Sequence, residues 1–121
     1  MKAQLSESLA CYRRLLILRM LQVAPGYVVP GDVLADVLER YGHRVATEVW
    51  RNDLEHLATL CLVELRAGWI AALTVTGADV ASGRLPAYGV SLTSRMPDAC
   101  IEAGAARGMQ DQIDAALKRG A

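Results

Sequence analysis

The stretch that most limits the fold of this chain runs from Val45 to Leu73. Val45, Val49, Trp50, Leu54, Leu57 and Leu60 recur at helical spacing, and Thr47, Glu48, Arg51, Asn52, Glu55 and Thr59 fill the opposite face. An α-helix with this pattern buries the first set and presents the second to solvent or to a partner. The period then changes. Leu62–Leu65 and Trp69–Leu73 are short apolar runs on either side of Arg66, Ala67 and Gly68. They predict two strands around a tight turn in which Gly68 supplies a positive φ.

The flanking sequence is mostly helical. Leu5, Leu9, Tyr12, Leu16 and Met20 form one stripe over residues 3–23, widened by Leu15, Ile17 and Leu18. A stripe this wide implies burial on two sides, in the core or against a second chain. Pro25-Gly26 ends that helix. Tyr27–Val29 is β-branched and short, as a single edge strand would be, and Pro30-Gly31 turns the chain. A second helix follows, with Asp32 in its first turn, Val33, Leu34, Val37, Leu38 and Tyr41 on its apolar face, and Gly42 at the C-terminal cap. Thr74 is placed to N-cap a brief helix reaching about Ser82. From Leu85, the residues Pro86, Gly89, Ser91, Thr93 and Ser94 predict an extended segment. Residues 98–119 are Ala-rich and read as a helix, weakened by Gly104 and Gly108 and carrying a modest stripe of Ile113, Ala116 and Leu117. The fold class is mainly α with a small β-hairpin, divided as residues 1–84 and an appended helical tail over 85–121.

Composition narrows the function. The chain has 121 residues, 53% hydrophobic, with 5% aromatic content and no Phe. Leu, Val, Ile and Ala must do the packing, which favours helices over a sandwich or barrel. The formal net charge is zero and basic and acidic residues balance over residues 1–85. Such a chain is not a nonspecific nucleic-acid coat, which needs a strong positive field. Cys11, Cys61 and Cys100 are widely spaced and form no CxxC pair, so they read as free thiols in a reducing compartment. His43 and His56 add nothing with zinc-ligand spacing. Arg19 interrupts the apolar run near the N-terminus, and no segment approaches the ~20 apolar residues that span a bilayer. The expectation is a cytoplasmic protein without metal, cofactor or membrane contact. No Ser-His-Asp or Cys-His arrangement is suggested, "GADVASGR" lacks the spacing of a phosphate loop, and Asp53 with His56 reads as a helix-surface ion pair. An enzyme is not expected.

The order helix, short strand, helix, turn, helix, hairpin, helix resembles the winged helix-turn-helix superfamily. "VWRNDLEHLATLCLVEL" is similar to its recognition-helix-and-wing pattern, and "LTVTGADVASGR" to the segment that follows the wing. The match covers about residues 9–84. Within the superfamily, "APGY", "YGHRVA" and "DVASGR" resemble small winged-helix proteins of Mu-like phages and prophages, which are often placed near ArsR-type regulators. The resemblance implies the fold and imports no established activity. Three departures stand out. Ala46 occupies the place of a hydroxyl N-cap, which Thr47 would take over by a one-residue shift. Cys61 replaces a preferred Gly, so a left-handed backbone there would be strained. The Cys-x-Cys motif of metal-sensing ArsR proteins is absent.

A winged helix implies a mechanism. The third helix would enter the major groove of duplex DNA with Arg44, Thr47, Glu48, Arg51 and Asn52 toward bases and phosphates. Arg66 would act from the wing, and Arg13, Arg14 and Arg40 would hold the DNA backbone. The competing reading is a solvated face or a protein-contact module used in interaction or assembly, because mixed charges at i, i+3 and i+4 suit any exposed helix. Glu48, Asp53 and Glu55 beside the arginines favour that alternative. The wide stripe of the first helix, with the helical tail, points to a homodimer through the terminal helices. A DNA-reading dimer would be a transcription regulator of phage or prophage type.

Overall fold

The computed structural model describes residues 2–91 and 103–120. Its first helix, α1 (Lys2–Val23), ends in a 3-10 turn at Pro25–Tyr27, where Gly26 has φ 66°. Strand β1 (Val28–Pro30) leads into α2 (Gly31–Arg40), followed by α3 (Thr47–Thr59). Strands β2 (Val63–Arg66) and β3 (Ile70–Leu73) then precede α4 (Val75–Ala81) and α5 (Ala103–Gly120). The molecule is mainly helical with a small antiparallel sheet in the order β1-β3-β2. This architecture is compatible with a winged-helix type of fold. The tail helix expected over 98–119 begins at Ala103 within the described residues; residues 98–102, Thr93 and Ser94 lie outside them.

The wide stripe on α1 has a direct explanation. Leu15, Leu16, Ile17 and Leu18 are all buried although they point to different sides of the helix. Helices α2, α3, α4 and α5 and strand β3 all pack on α1. It is the central helix of the molecule, and one chain suffices to cover it from Ala10 onward. The first two turns differ from the expectation: Leu5 is 62% and Leu9 47% exposed. Among the described residues, nothing packs over these turns as it does over Leu15–Leu21.

The sheet forms where the periodicity changes. Val29 and Leu65 both pair with Ala71 of the central strand, from opposite sides. Val29, Val63 and Ala71 are buried beneath the helices. Strand β1 is an edge strand, which is why Pro30 is tolerated in it. The hairpin closes through Ala67, Gly68 and Trp69, and Gly68 takes φ 80° as expected.

The segment from Leu62 to Gly83 shows why its sequence reads as it does. Cys61 adopts φ 60°, the strained conformation anticipated for a non-glycine residue there. The Thr74 hydroxyl donates toward the Cys61 and Leu62 carbonyls (2.7 and 2.9 Å) and accepts from the Gly77 N–H at 3.0 Å. A Cβ on Gly77 would lie 2.0 Å from the Leu62 carbonyl oxygen. Thr74 and Gly77 therefore let α4 seat directly on the corner where α3 becomes β2. At the other end of α3 the expected cap shift does not occur. Ala46 is the N-cap and makes no side-chain capping bond, while Thr47 is already helical.

Candidate nucleic-acid interface

The outward face of α3 carries Thr47, Glu48, Arg51 and Asn52, all exposed, while Trp50, Asp53, Leu54 and Leu57 are buried. The helical phase read from the sequence is thus the observed one for these positions, with Trp50 at 4% exposure in the core. Arg44 stands in the loop before α3, exposed, with Nε 3.8 Å from the Glu39 carboxylate. Arg66 ends β2 beside the hairpin turn, with Nε 3.6 Å from Glu64. Both pairs are solvent-exposed, and such pairs contribute little and exchange partners readily. Glu48 and Glu55 share the face with the arginines. The surface is mixed in charge, not a basic patch.

Trp69 links α3 to the hairpin. Its indole meets Trp50 edge-on, with centroids 6.3 Å apart at 87°. The Arg51 guanidinium lies over both rings, 5.0 Å from the Trp69 centroid and 5.4 Å from that of Trp50. Both distances are within the range of cation–π attraction. A Cβ on Gly31 would come within 2.5 Å of the Trp50 ring and 2.9 Å of the Trp69 carbonyl oxygen. That oxygen accepts the Gly31 N–H at 2.8 Å. The start of α2, the face of α3 and the hairpin turn are locked together at this point.

Two sequence expectations are corrected beneath the face. Arg13 and Arg14 are not available to hold a DNA backbone, because both engage Asp53. The Arg13 Nε donates to Asp53 Oδ2 and its Nη2 to Oδ1 at 3.1 Å; Arg14 Nε donates to Oδ1 at 3.1 Å. The Arg13 side chain is 9% exposed and that of Asp53 only 2%. Asp53 consequently neither repels phosphate at the surface nor pairs with His56. His56 instead contacts the Tyr88 carbonyl at 2.8 Å through Nε2 and stacks on the Tyr88 ring. Arg14 Nη1 donates to the Gly89 carbonyl at 2.9 Å. Together with the Ser91 N–H bonded to the Cys11 carbonyl, these contacts strap residues 88–91 across α1 and α3. The signal for the buried ions was present in the spacing. Arg13 shares a helical face with Ala10, Ile17 and Met20, and Asp53 with Trp50, Leu54 and Leu57. Arg40, the third proposed backbone contact, lies 3.7 Å from Asp36 and is partly exposed.

His43, in the loop leading to α3, packs its ring on Tyr12 with centroids 5.5 Å apart. Burial holds its pKa below the usual 6.5, the neighbouring Arg13 charge lowers it further, and Asp53 opposes both. The ring is therefore poised to remain neutral in the folded protein.

The described residues thus define a small, mainly helical protein in which a helix pair and a three-stranded sheet frame one exposed, mixed-charge helix face. No helix among them is long and apolar enough to cross a membrane. No family model matches the chain, and no solved structure matches it. A curated relative does: the Uncharacterized protein gp26 of Escherichia phage Mu is 40% identical over 81 residues, which span 64% of this chain and 83% of that protein. The chain belongs to the family of this phage Mu protein.

Proposed function

We propose that the protein is a winged helix-turn-helix DNA-binding protein, a phage or prophage regulator that reads duplex DNA with α3. In this reading residues 1–84 are the DNA-binding unit, and residues 85–121 form a linker and a helical segment docked on it. The observation that carries the proposal is the outward face of α3, where Arg51 and Asn52 are adjacent and exposed beside a hairpin turn. Arg pairs with guanine and Asn with adenine in the major groove, each good bidentate contact being worth about 1–3 kcal/mol of discrimination. Arg44, Thr47 and Glu48 extend the same surface, and Arg66 serves a phosphate. The protein acts in the cytoplasm, where the DNA is. A homodimer is part of the reading, since Leu5 and Leu9 leave an apolar strip on the first turns of α1 and paired reading helices suit two half-sites.

A specific observation favours a second reading, a protein-contact or assembly module of the same fold. Arg44 and Arg66 each already face a carboxylate, and the chain has no net charge. The experiment is selection from random duplexes at near-physiological salt, followed by titration of wild type, Arg51→Ala and Arg66→Ala. The expected result is an enriched sequence on which Arg51→Ala loses discrimination at one base pair. Arg66→Ala weakens all sequences alike and lowers the salt slope by about one unit. No enriched sequence would transfer the assignment to the protein-contact reading.

A further inference from the structure

Trp69 stands out as a bulky residue at a backbone position that disfavours one. It adopts φ 61° at the end of the turn, immediately after Gly68 at φ 80°. A bulky side chain in the left-handed region is strained, and such strain persists only where surrounding structure enforces it. Here the enforcing contacts are visible: the Trp69 carbonyl is held by the Gly31 N–H at 2.8 Å, and its ring abuts Trp50. A glycine would satisfy this backbone at no steric cost. What it would not supply is the indole face 5.0 Å from the Arg51 guanidinium.

Arg51 differs from its neighbours on the surface. Arg44 and Arg66 lie beside Glu39 and Glu64, whereas no salt bridge to Arg51 occurs among the described residues. Two indoles hold it instead. A cation–π contact attracts the charge to the ring and places no oxygen acceptor on the guanidinium N–H donors. A carboxylate partner would occupy those same donors. The corner of Trp50 and Trp69 therefore restrains the charge while keeping its hydrogen-bonding edge open, the condition a bidentate contact to guanine requires.

We propose that Trp69 is a positioning residue, which holds Arg51 for recognition of a guanine edge without itself contacting a base. This rests on the DNA-binding reading above. The decisive variant is Trp69→Gly, which removes the ring while the backbone keeps a conformation that glycine adopts freely; Trp69→Phe restores an aromatic face. On the duplex selected by wild type, and on its single-base variants, Trp69→Gly is expected to lower discrimination at the base pair read by Arg51 by about fivefold or more. Nonspecific affinity and salt slope stay unchanged. Trp69→Phe recovers part of the loss, and the double variant with Arg51→Ala discriminates no worse than Arg51→Ala alone. In the free protein, NMR should show the Arg51 side-chain protons shifted upfield by the indole rings in wild type and less so in Trp69→Gly. Unchanged discrimination by Trp69→Gly, a uniform loss on all sequences, or unshifted Arg51 protons in wild type would each overturn the proposal while leaving the DNA reading intact. A wild type that enriches no sequence would overturn both.

Discussion

At the scale of single residues, His43 shows how a charge can oppose the fold. Its ring packs on Tyr12 near the Arg13 guanidinium, and burial followed by that cation lowers its pKa from 6.5. The unfolded chain then binds a proton more readily than the folded one over the pH range just below 6.5. Stability from this group is fully present above that pH and is lost as pH falls toward the lowered folded pKa. Thermal melts of wild type should therefore show a drop in midpoint between about pH 7 and pH 5.5, the interval around an ordinary histidine. His43→Gln, neutral throughout, should flatten that part of the profile. An identical pH dependence in the variant would place the ring in water. Cys61 opposes the fold differently, through its backbone at φ 60°. That cost was readable only through the family resemblance, which marked the position as one where glycine is preferred.

At the scale of elements, the packing of α3 on α1 is decided by Asp53. Two arginines from consecutive positions on α1 converge on this one carboxylate. Removing a partner from a buried ion pair leaves uncompensated charge and typically costs about 3–5 kcal/mol. Asp53→Ala strands both guanidiniums in a nearly dry site and should lower stability by that amount, measured by urea unfolding. A change below about 1 kcal/mol, the range of exposed pairs, would mean that water reaches the site. The strap at residues 88–91 should loosen as well, because Arg14 also donates to the Gly89 carbonyl.

At the scale of the whole molecule, α5 is the element whose place was least readable. Its buried residues Met109, Ile113 and Ala116 meet α1 and α2 of the same chain. The stripe expected to serve dimerisation is thus used within the protomer over these residues. Deleting residues 103–121 should lower the melting temperature, since each large apolar side chain buried contributes about 1.5–3 kcal/mol. It should also expose the α5-facing sides of α1 and α2 and promote aggregation, followed by light scattering. An unchanged melt would show that α5 does not stabilise the remainder. Sedimentation of the full chain gives the oligomeric state separately, and a monomer at tens of micromolar, a reasonable range for a specific dimer, would remove the homodimer from the proposed function.

Local patterns were legible without any structure. The helical phase of α3, the hairpin around Gly68, the stop at Pro25-Gly26 and the Thr74 cap all follow from interactions within a few residues. Periodicity and turn chemistry record such interactions directly. The exposed positions of Thr47, Glu48, Arg51 and Asn52 follow from the same phase, whereas Arg44 is exposed in the preceding loop and Arg66 at the end of β2. Partners distant along the chain were not legible. Arg13 and Arg14 read as free surface charges until α3 brought Asp53 beside them. Arg51 read as an unheld side chain until the hairpin set Trp69 against it. Gly77 looked like part of a motif until the Leu62 carbonyl filled the space a Cβ would need. Burial and pairing depend on which elements meet, and that is settled by packing three-dimensional surfaces against one another, a property no local window of residues contains.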